Sequence, residues 1–220
     1  MMWVQTDQKR MSFKKNKYKV LKNFVSKEMC FFLTHYFILK RSVAHKFYQD
    51  YKDYKSNPLG KPFVHLTGAF ADEQIKGGIG PYVSYGDVAF DTLLELLRPH
   101  VEKEANTKLI PTYTYARIYT KGNILPKHKD RKSCEISTTL NLGGDSWPIY
   151  LKDKKRKTIK VDLKPGDMLL YKGCDLEHWR NPFEGNMCAQ VFLHYNPDTK
   201  KNRKNIYDER FHLGLPGKNV

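Results

Sequence analysis

From residue 111 to about 197 the chain is cut into short β-prone runs separated by turn residues, and this texture leaves few folds open. Runs near 112–120, 125–130, 134–143, 148–152, 157–163, 168–172, 176–181 and 188–195 are rich in branched and aromatic side chains, which suit a pleated, half-buried surface. Pro165-Gly166-Asp167 and Asn141-Leu142-Gly143-Gly144-Asp145 separate neighbouring runs, because Pro presets φ and Gly reaches positive φ at no steric cost. About eight such strands at short, even spacing predict an antiparallel double-sheet jelly roll.

Upstream, the periodicity changes. Tyr18 to Phe24 reads as a short strand, and Ser26 suits a helix N-cap. Phe32, Leu33, Tyr36, Phe37, Val43 and Phe47 recur at helical spacing, in a helix expected to fray by Asn57-Pro58. Residues 57–85 are rich in Gly and Pro and read as a long loop. Phe90, Leu93, Leu94, Leu97 and Val101 mark a second helix, which Pro99 is expected to kink or interrupt. The fold class is α+β, mostly β. A basic arm (1–17) precedes a single domain (18–220), made of a helical layer (18–110) on one sheet of a jelly-roll core (111–197), then a tail (198–220).

Composition narrows the function classes. Hydrophobic residues are 40% and aromatics 13% of 220 residues, enough for a core. Cys30, Cys134, Cys174 and Cys188 include no CxxC pair, which argues against a zinc ribbon or disulfide framework and for a reducing compartment. Only Met1-Met2-Trp3-Val4 is apolar before charge resumes, so no secretory h-region is expected. The longest near-apolar run, Met29 to Leu39, includes His35 and is shorter than the roughly 20 residues a bilayer span needs. The expectation is a soluble, cytoplasmic protein. Abundant Lys, Asn, Tyr and Phe suit an AT-rich genome, viral or bacterial. The net charge of +16 invites a nucleic-acid partner. Its clusters, Lys9 to Lys22, Lys152 to Lys160 and Lys200 to Lys204, are not interleaved with aromatics in a recognised binding motif, and a solvated basic surface is the simpler reading.

Within the β-rich half, His128-Lys129-Asp130 sets an imidazole and a carboxylate two residues apart, and strand residues i and i+2 share a face. Alone, the pair also fits a surface turn, flanked as it is by Lys129, Arg131 and Pro126. His178, in Leu176-Glu177-His178-Trp179-Arg180 near the end of the run of strands, is the best third ligand. His194, in the apolar run Val191 to Tyr195, reads as a hydrogen-bonded core residue. Two histidines and a carboxylate on one octahedral face leave three positions open, the ligand set of non-haem Fe(II) oxygenases.

In order and spacing, several stretches resemble the Fe(II)- and 2-oxoglutarate-dependent dioxygenases, closest to the prolyl 4-hydroxylase-like branch. They are Ala116-Arg117-Ile118-Tyr119, Leu125-Pro126-Lys127-His128-Lys129-Asp130, Ile136 to Leu142, Lys164-Pro165-Gly166-Asp167-Met168-Leu169-Leu170-Tyr171, His178 and Gln190 to Tyr195. Lys22 to Cys30 is similar to that branch's entry strand and first helix. The resemblance implies a double-stranded β-helix, a metal triad of His128, Asp130 and His178 carrying the chemistry, and Fe(II), 2-oxoglutarate and O2 as the reacting set, with ascorbate as an accessory reductant. It implies hydroxylation of an unactivated C–H bond with decarboxylation of 2-oxoglutarate to succinate. The substrate expected is a peptide or protein side chain, proline included, or a small molecule.

One departure stands out. This branch usually places a Lys or Arg about ten residues past the third ligand to bind the distal carboxylate of 2-oxoglutarate, and here that position holds Met187 or Cys188. Arg180, two residues past His178 and on the same strand face, is the expected anchor, since a guanidinium can hold a carboxylate with two parallel hydrogen bonds. Arg117 is the reserve, on one face with Tyr113, Tyr115 and Tyr119, and Arg131 is a third choice. The family's pattern lets Tyr119 give its hydroxyl to the co-substrate. Thr139, in the polar stripe Ser137-Thr139-Asn141, is a candidate pocket residue. Three other readings compete. A nucleic-acid dealkylase would carry paired arginines after the third ligand, whereas residues 180–195 hold only Arg180. A cupin-like metal protein would supply more histidines at closer spacing. A basic binding protein would leave the triad accidental.

Overall fold

A computed structural model describes residues 13–50 and 66–217. In chain order these form α1 (Phe13–Asn16), β1 (Tyr18–Leu21), α2 (Lys27–Asp50), β2 (Tyr82–Tyr85), α3 (Val88–Ala105), β3 (Leu109–Thr120), β4 (Leu125–His128), β5 (Ile136–Gly144), β6 (Ile149–Lys152), β7 (Thr158–Val161), β8 (Met168–Tyr171), β9 (His178–Arg180) and β10 (Met187–Pro197). Short 3-10 turns cover Lys132–Cys134 and Arg203–Glu209. The strands make a six-stranded sheet, β1-β8-β5-β10-β3-β2, and a four-stranded sheet, β4-β9-β6-β7, with every pairing antiparallel. This is the expected jelly roll.

Alternation along the central strands sorts side chains into two interiors. Ala116 and Ile118 of β3, Leu140 and Leu142 of β5, and Val191 and Leu193 of β10 face the helices, where Leu33 and Phe37 of α2 and Phe90, Leu94 and Leu97 of α3 meet them in one buried cluster. The opposite face turns toward the four-stranded sheet, and there Tyr119, Leu125, Trp147, Phe183, Cys188 and Phe192 form a second cluster. The helices are pinned to each other by Asp87. Its carboxylate caps α3 by accepting from the Ala89 and Phe90 amides, and it also takes the Tyr36 hydroxyl and the Lys40 ammonium of α2.

Four expectations are revised. Pro99 does not interrupt α3, which runs from Val88 to Ala105. A mid-helix proline costs about 3 kcal/mol, but Phe90, Leu93, Leu94, Leu97 and Val101 are all buried, each contributing about 1.5–3 kcal/mol. On α2 the buried stripe is Cys30, Leu33, Phe37 and Ala44, whereas Phe32 and Val43 are 62% and 51% exposed. Each precedes a buried residue and so stands about 100° around the helix from it. The loop over 57–85 ends in a strand, β2, paired to β3, and is tied down by bridges Ala69–Val83 and Lys76–Ile124. Its first part, like the end of the first helix at Asn57-Pro58, lies outside the described residues. In the basic arm, residues 1–12 lie outside them too, and 13–16 form a helical turn with Phe13 buried. Among the described residues no helix is long and apolar enough to cross a membrane.

Candidate metal centre

β4 and β9 pair so that His128 and His178 are direct partners, and their rings lie 4.2 Å apart between centroids. Each imidazole donates from Nδ1 to the carbonyl two residues upstream, His128 to Pro126 and His178 to Leu176, both at 2.9 Å. These bonds fix the tautomer and leave each Nε2 with its lone pair toward the other ligands, as metal-binding histidines require. Asp130 comes from the loop after β4, which ends two residues earlier than expected. Its amide donates to the Gly173 carbonyl at 3.0 Å instead of continuing the sheet. Asp130 Oδ1 lies 3.5 Å from His128 Nε2 and 3.4 Å from His178 Nε2. The three ligand atoms fall within 4.8 Å of one another.

The second carboxylate oxygen is held apart from this cluster. Ser137 Oγ donates to Asp130 Oδ2 at 2.7 Å and lies 3.2 Å from His194 Nδ1. Burial raises the Asp130 pKa, but the facing His128 and His178 side chains outweigh it and hold the carboxyl well below its ordinary range. The group is therefore ionised, as a ligand must be. Burial pushes the His194 imidazole down to about 4 against the pull of Asp130, so it is neutral. Gly173 makes the close approach possible, since a Cβ there would stand 2.0 Å from Asp130 Oδ2 and 2.5 Å from Ser137 Oγ.

The triad lines a cavity of about 420 Å³ together with Tyr113, Arg117 and Phe192. Two guanidiniums also line it, each answered by a carboxylate from another segment. Arg117 Nε donates to Asp72 at 2.7 Å and Nη2 to Gln74 at 2.6 Å. Arg131 Nη2 donates to Asp208 at 2.6 Å, above the Tyr113 ring.

Arg180 differs. It is 1% exposed and forms no ion pair among the described residues. Its Nη1 donates to the Trp147 carbonyl, its Nη2 lies 3.4 Å from Gln190 Oε1, and its Nε has no partner. Burial without a facing carboxylate lowers its pKa. Thr139 Oγ1 donates to the same Gln190 oxygen at 3.2 Å, and Gln190 Nε2 contacts Cys188 Sγ at 3.1 Å. Arg180 thus shares its surroundings with Cys188, one of the two positions where the resemblance leads one to seek a cation. The Tyr119 hydroxyl accepts from Arg117 Nη1 at 3.2 Å, and its ring meets Trp147 edge-on at 4.7 Å. Sequence reasoning missed Gln190, Asp72, Asp208 and Gly173. Only Gln190 had a signal, since alternation from Phe192 and His194 turns it inward.

The residues fit the groups the resemblance implies. Two imidazoles and an ionised carboxylate suit a divalent iron, and a buried guanidinium with an orphaned N–H suits a carboxylate. No family model matches the chain, and no curated protein matches it in sequence. Solved structures do. A prolyl-4-hydroxylase from Pseudomonas putida aligns at TM-score 0.55 and 14% identity over 86% of this chain and 96% of that one. A prolyl hydroxylase from Trichoplax adhaerens, in complex with a hypoxia inducible factor oxygen degradation domain peptide fragment, aligns at 0.57 and 16% over 87% and 88%. A viral collagen prolyl hydroxylase from Paramecium Bursaria Chlorella virus-1, in a 2OG complex, aligns at 0.53 and 11% over 84% and 98%. These likenesses establish a shared fold, the double-stranded β-helix.

Two outcomes are expected. Gly173→Ala will push Asp130 and Ser137 apart and weaken the affinity of the three-residue cluster for a divalent metal at least about tenfold, the scale of losses around ligating carboxylates, with the chain still folding cooperatively. Anaerobic metal titration and thermal unfolding check this. The second concerns pH. His194 titrates near 4 in the folded chain against an ordinary value of 6.5, so below 6.5 the unfolded chain takes up a proton that the folded one refuses. Stability is full above that value and falls between pH 6.5 and 4, by at most about 3 kcal/mol. Urea unfolding across this window is expected to show a shallower fall in His194→Gln.

Proposed function

We propose that the protein is an Fe(II)- and 2-oxoglutarate-dependent oxygenase that hydroxylates an unactivated C–H bond. The observation that carries this reading is the convergence of His128 Nε2, Asp130 Oδ1 and His178 Nε2 on one face of a double-stranded β-helix cavity.

His128, Asp130 and His178 would hold the metal. When bound, iron would activate O2, the oxidant, with 2-oxoglutarate supplying two electrons: one oxygen atom would leave in succinate as CO2 is lost, and the other would enter the substrate C–H bond. The chain's own residues do the rest. The carbonyls of Pro126 and Leu176 keep both imidazoles aimed, and Ser137 holds one Asp130 oxygen by a hydrogen bond while the other faces the imidazoles. Arg180 would take the distal carboxylate of 2-oxoglutarate through its free Nε. Trp147, Phe183 and Phe192 exclude water around it, which strengthens such a pair. Gln190, braced by Thr139, orients the guanidinium. Tyr119 stands between Arg117 and Arg180 and could offer its hydroxyl to the same ligand. Arg117 is the weaker anchor, because Asp72 already neutralises it.

For the substrate we favour a peptide or protein side chain, proline among the options. The prolyl hydroxylases among the structural neighbours support this, as does a cavity lined by Tyr85, Tyr113 and Tyr115. An anaerobic titration with Fe(II) and then 2-oxoglutarate tests the reading through the visible charge-transfer band of the chelate. The band is expected in the wild type and absent in His178→Ala. In Arg180→Ala it is expected only at about 10–100-fold more 2-oxoglutarate, the range for losing hydrogen bonds to a charged group. Metal binding without any such band would point to a cupin-like metal protein instead.

A further inference from the structure

The strands that hold the metal ligands inward turn a different chemistry outward. Trp179 sits between His178 and Arg180 on β9 and therefore faces away from the cavity. Its direct cross-strand partner is Tyr150 of β6, and the two rings stack at 5.6 Å with 17° between their planes. Lys127 of β4 lies over the Trp179 ring at 4.8 Å, and Lys152 of β6 stands 5.9 Å from it. Lys160 of β7 pairs with Tyr150 from the far side. The turn from β6 to β7 adds exposed Lys154, Lys155, Arg156 and Lys157, fanned out by Asp153, whose Oδ1 accepts from the Lys155 and Lys157 amides. Among the described residues neither Lys127 nor Lys152 is in an ion pair, and the Lys160–Asp162 pair is exposed.

We propose that this outer face of the four-stranded sheet, Trp179 and Tyr150 ringed by Lys127, Lys152, Lys160 and the β6–β7 turn, docks a single-stranded polynucleotide. The net charge of +16 supplies the attraction. The aromatic pair decides between polyanions. An acidic peptide needs only the lysines, whereas a nucleic acid strand combines phosphates with bases that stack on aromatic rings whatever their sequence. A lysine over an exposed ring is weakly held, so Lys127 can exchange Trp179 for a phosphate as a base takes its place. The basic segment Lys152 to Lys160 contains no aromatic of its own. The rings reach it only through strand pairing, which is why the sequence showed no such motif. The proposal does not rest on the oxygenase reading, because every residue in it points away from the cavity.

Fluorescence anisotropy of the full chain with labelled oligothymidylate, at low and at physiological salt, tests it. Binding is expected, weakening steeply with salt. Lys127→Glu combined with Lys152→Glu should weaken it at least about tenfold and flatten the salt dependence by about two charges. Trp179→Leu keeps apolar bulk without a π face and should cost about tenfold. Lys200→Glu with Lys201→Glu, an equal charge change on the exposed tail, should cost little. Melting temperature and far-ultraviolet circular dichroism report whether each variant stays folded. The absence of binding at low salt would overturn the proposal. So would equal losses in the tail variant, no loss in the platform variants, or polyglutamate competing as well as oligothymidylate.

Discussion

Burial on both faces of β3, β5 and β10 obliges every polar side chain on their inner faces to find a partner within the protein. Helices α2 and α3 seal one side and the four-stranded sheet covers the other, so little water remains to satisfy a stray donor. The inner face is nonetheless polar: Arg117 on β3, Ser137 and Thr139 on β5, Gln190 and His194 on β10 are all buried. An apolar filling would be the stable choice for a sandwich of this size. A polar, mutually bonded interior costs desolvation at each group and is expected where a site must hold charged ligands.

Within that interior, charge is matched almost everywhere. In the interior Arg117 answers Asp72; outside it, the exposed Arg131 answers Asp208, and Arg210 answers Asp91 of α3. Asp130 faces two imidazoles and a serine hydroxyl. Arg180 is the exception, a guanidinium 1% exposed with carbonyl oxygens in place of a carboxylate. Its burial penalises the charged form, and a bound anion would remove the penalty. The cavity thus holds a negative cluster suited to a cation, and Arg180, two residues along β9 from His178 but not among the lining residues, is a buried positive group suited to an acid.

Much of this was legible in the sequence because it is local. The strands from 111 onward follow from turn residues and β-prone runs, and the stripe Phe90–Val101 follows from helical spacing. The triad was legible because His128 and Asp130 are near neighbours and His178 lies in one of the few remaining strands. What could not be read depends on distant segments meeting. Asp72 and Asp208 reach the cavity from a loop and the C-terminal segment, with nothing in their neighbours to announce it. Gly173 matters only because Asp130 bonds to its carbonyl across a loop contact. Trp179 meets Tyr150 only through strand pairing, which its own neighbours do not announce. Pro99 misled because local propensity is outweighed by the buried face on which that helix lies.

In the proposed function a metal sits on His128, Asp130 and His178, and the far carboxylate of its chelating acid reaches Arg180 nearby on β9. A crystal structure grown without oxygen in the presence of Mn(II), as a redox-stable stand-in for Fe(II), and 2-oxoglutarate tests it most directly. The account predicts one metal on the three ligand atoms and a carboxylate accepting from Arg180 Nε. A metal bound elsewhere, or a carboxylate that displaces Asp72 from Arg117 and leaves Arg180 unpaired, would contradict it.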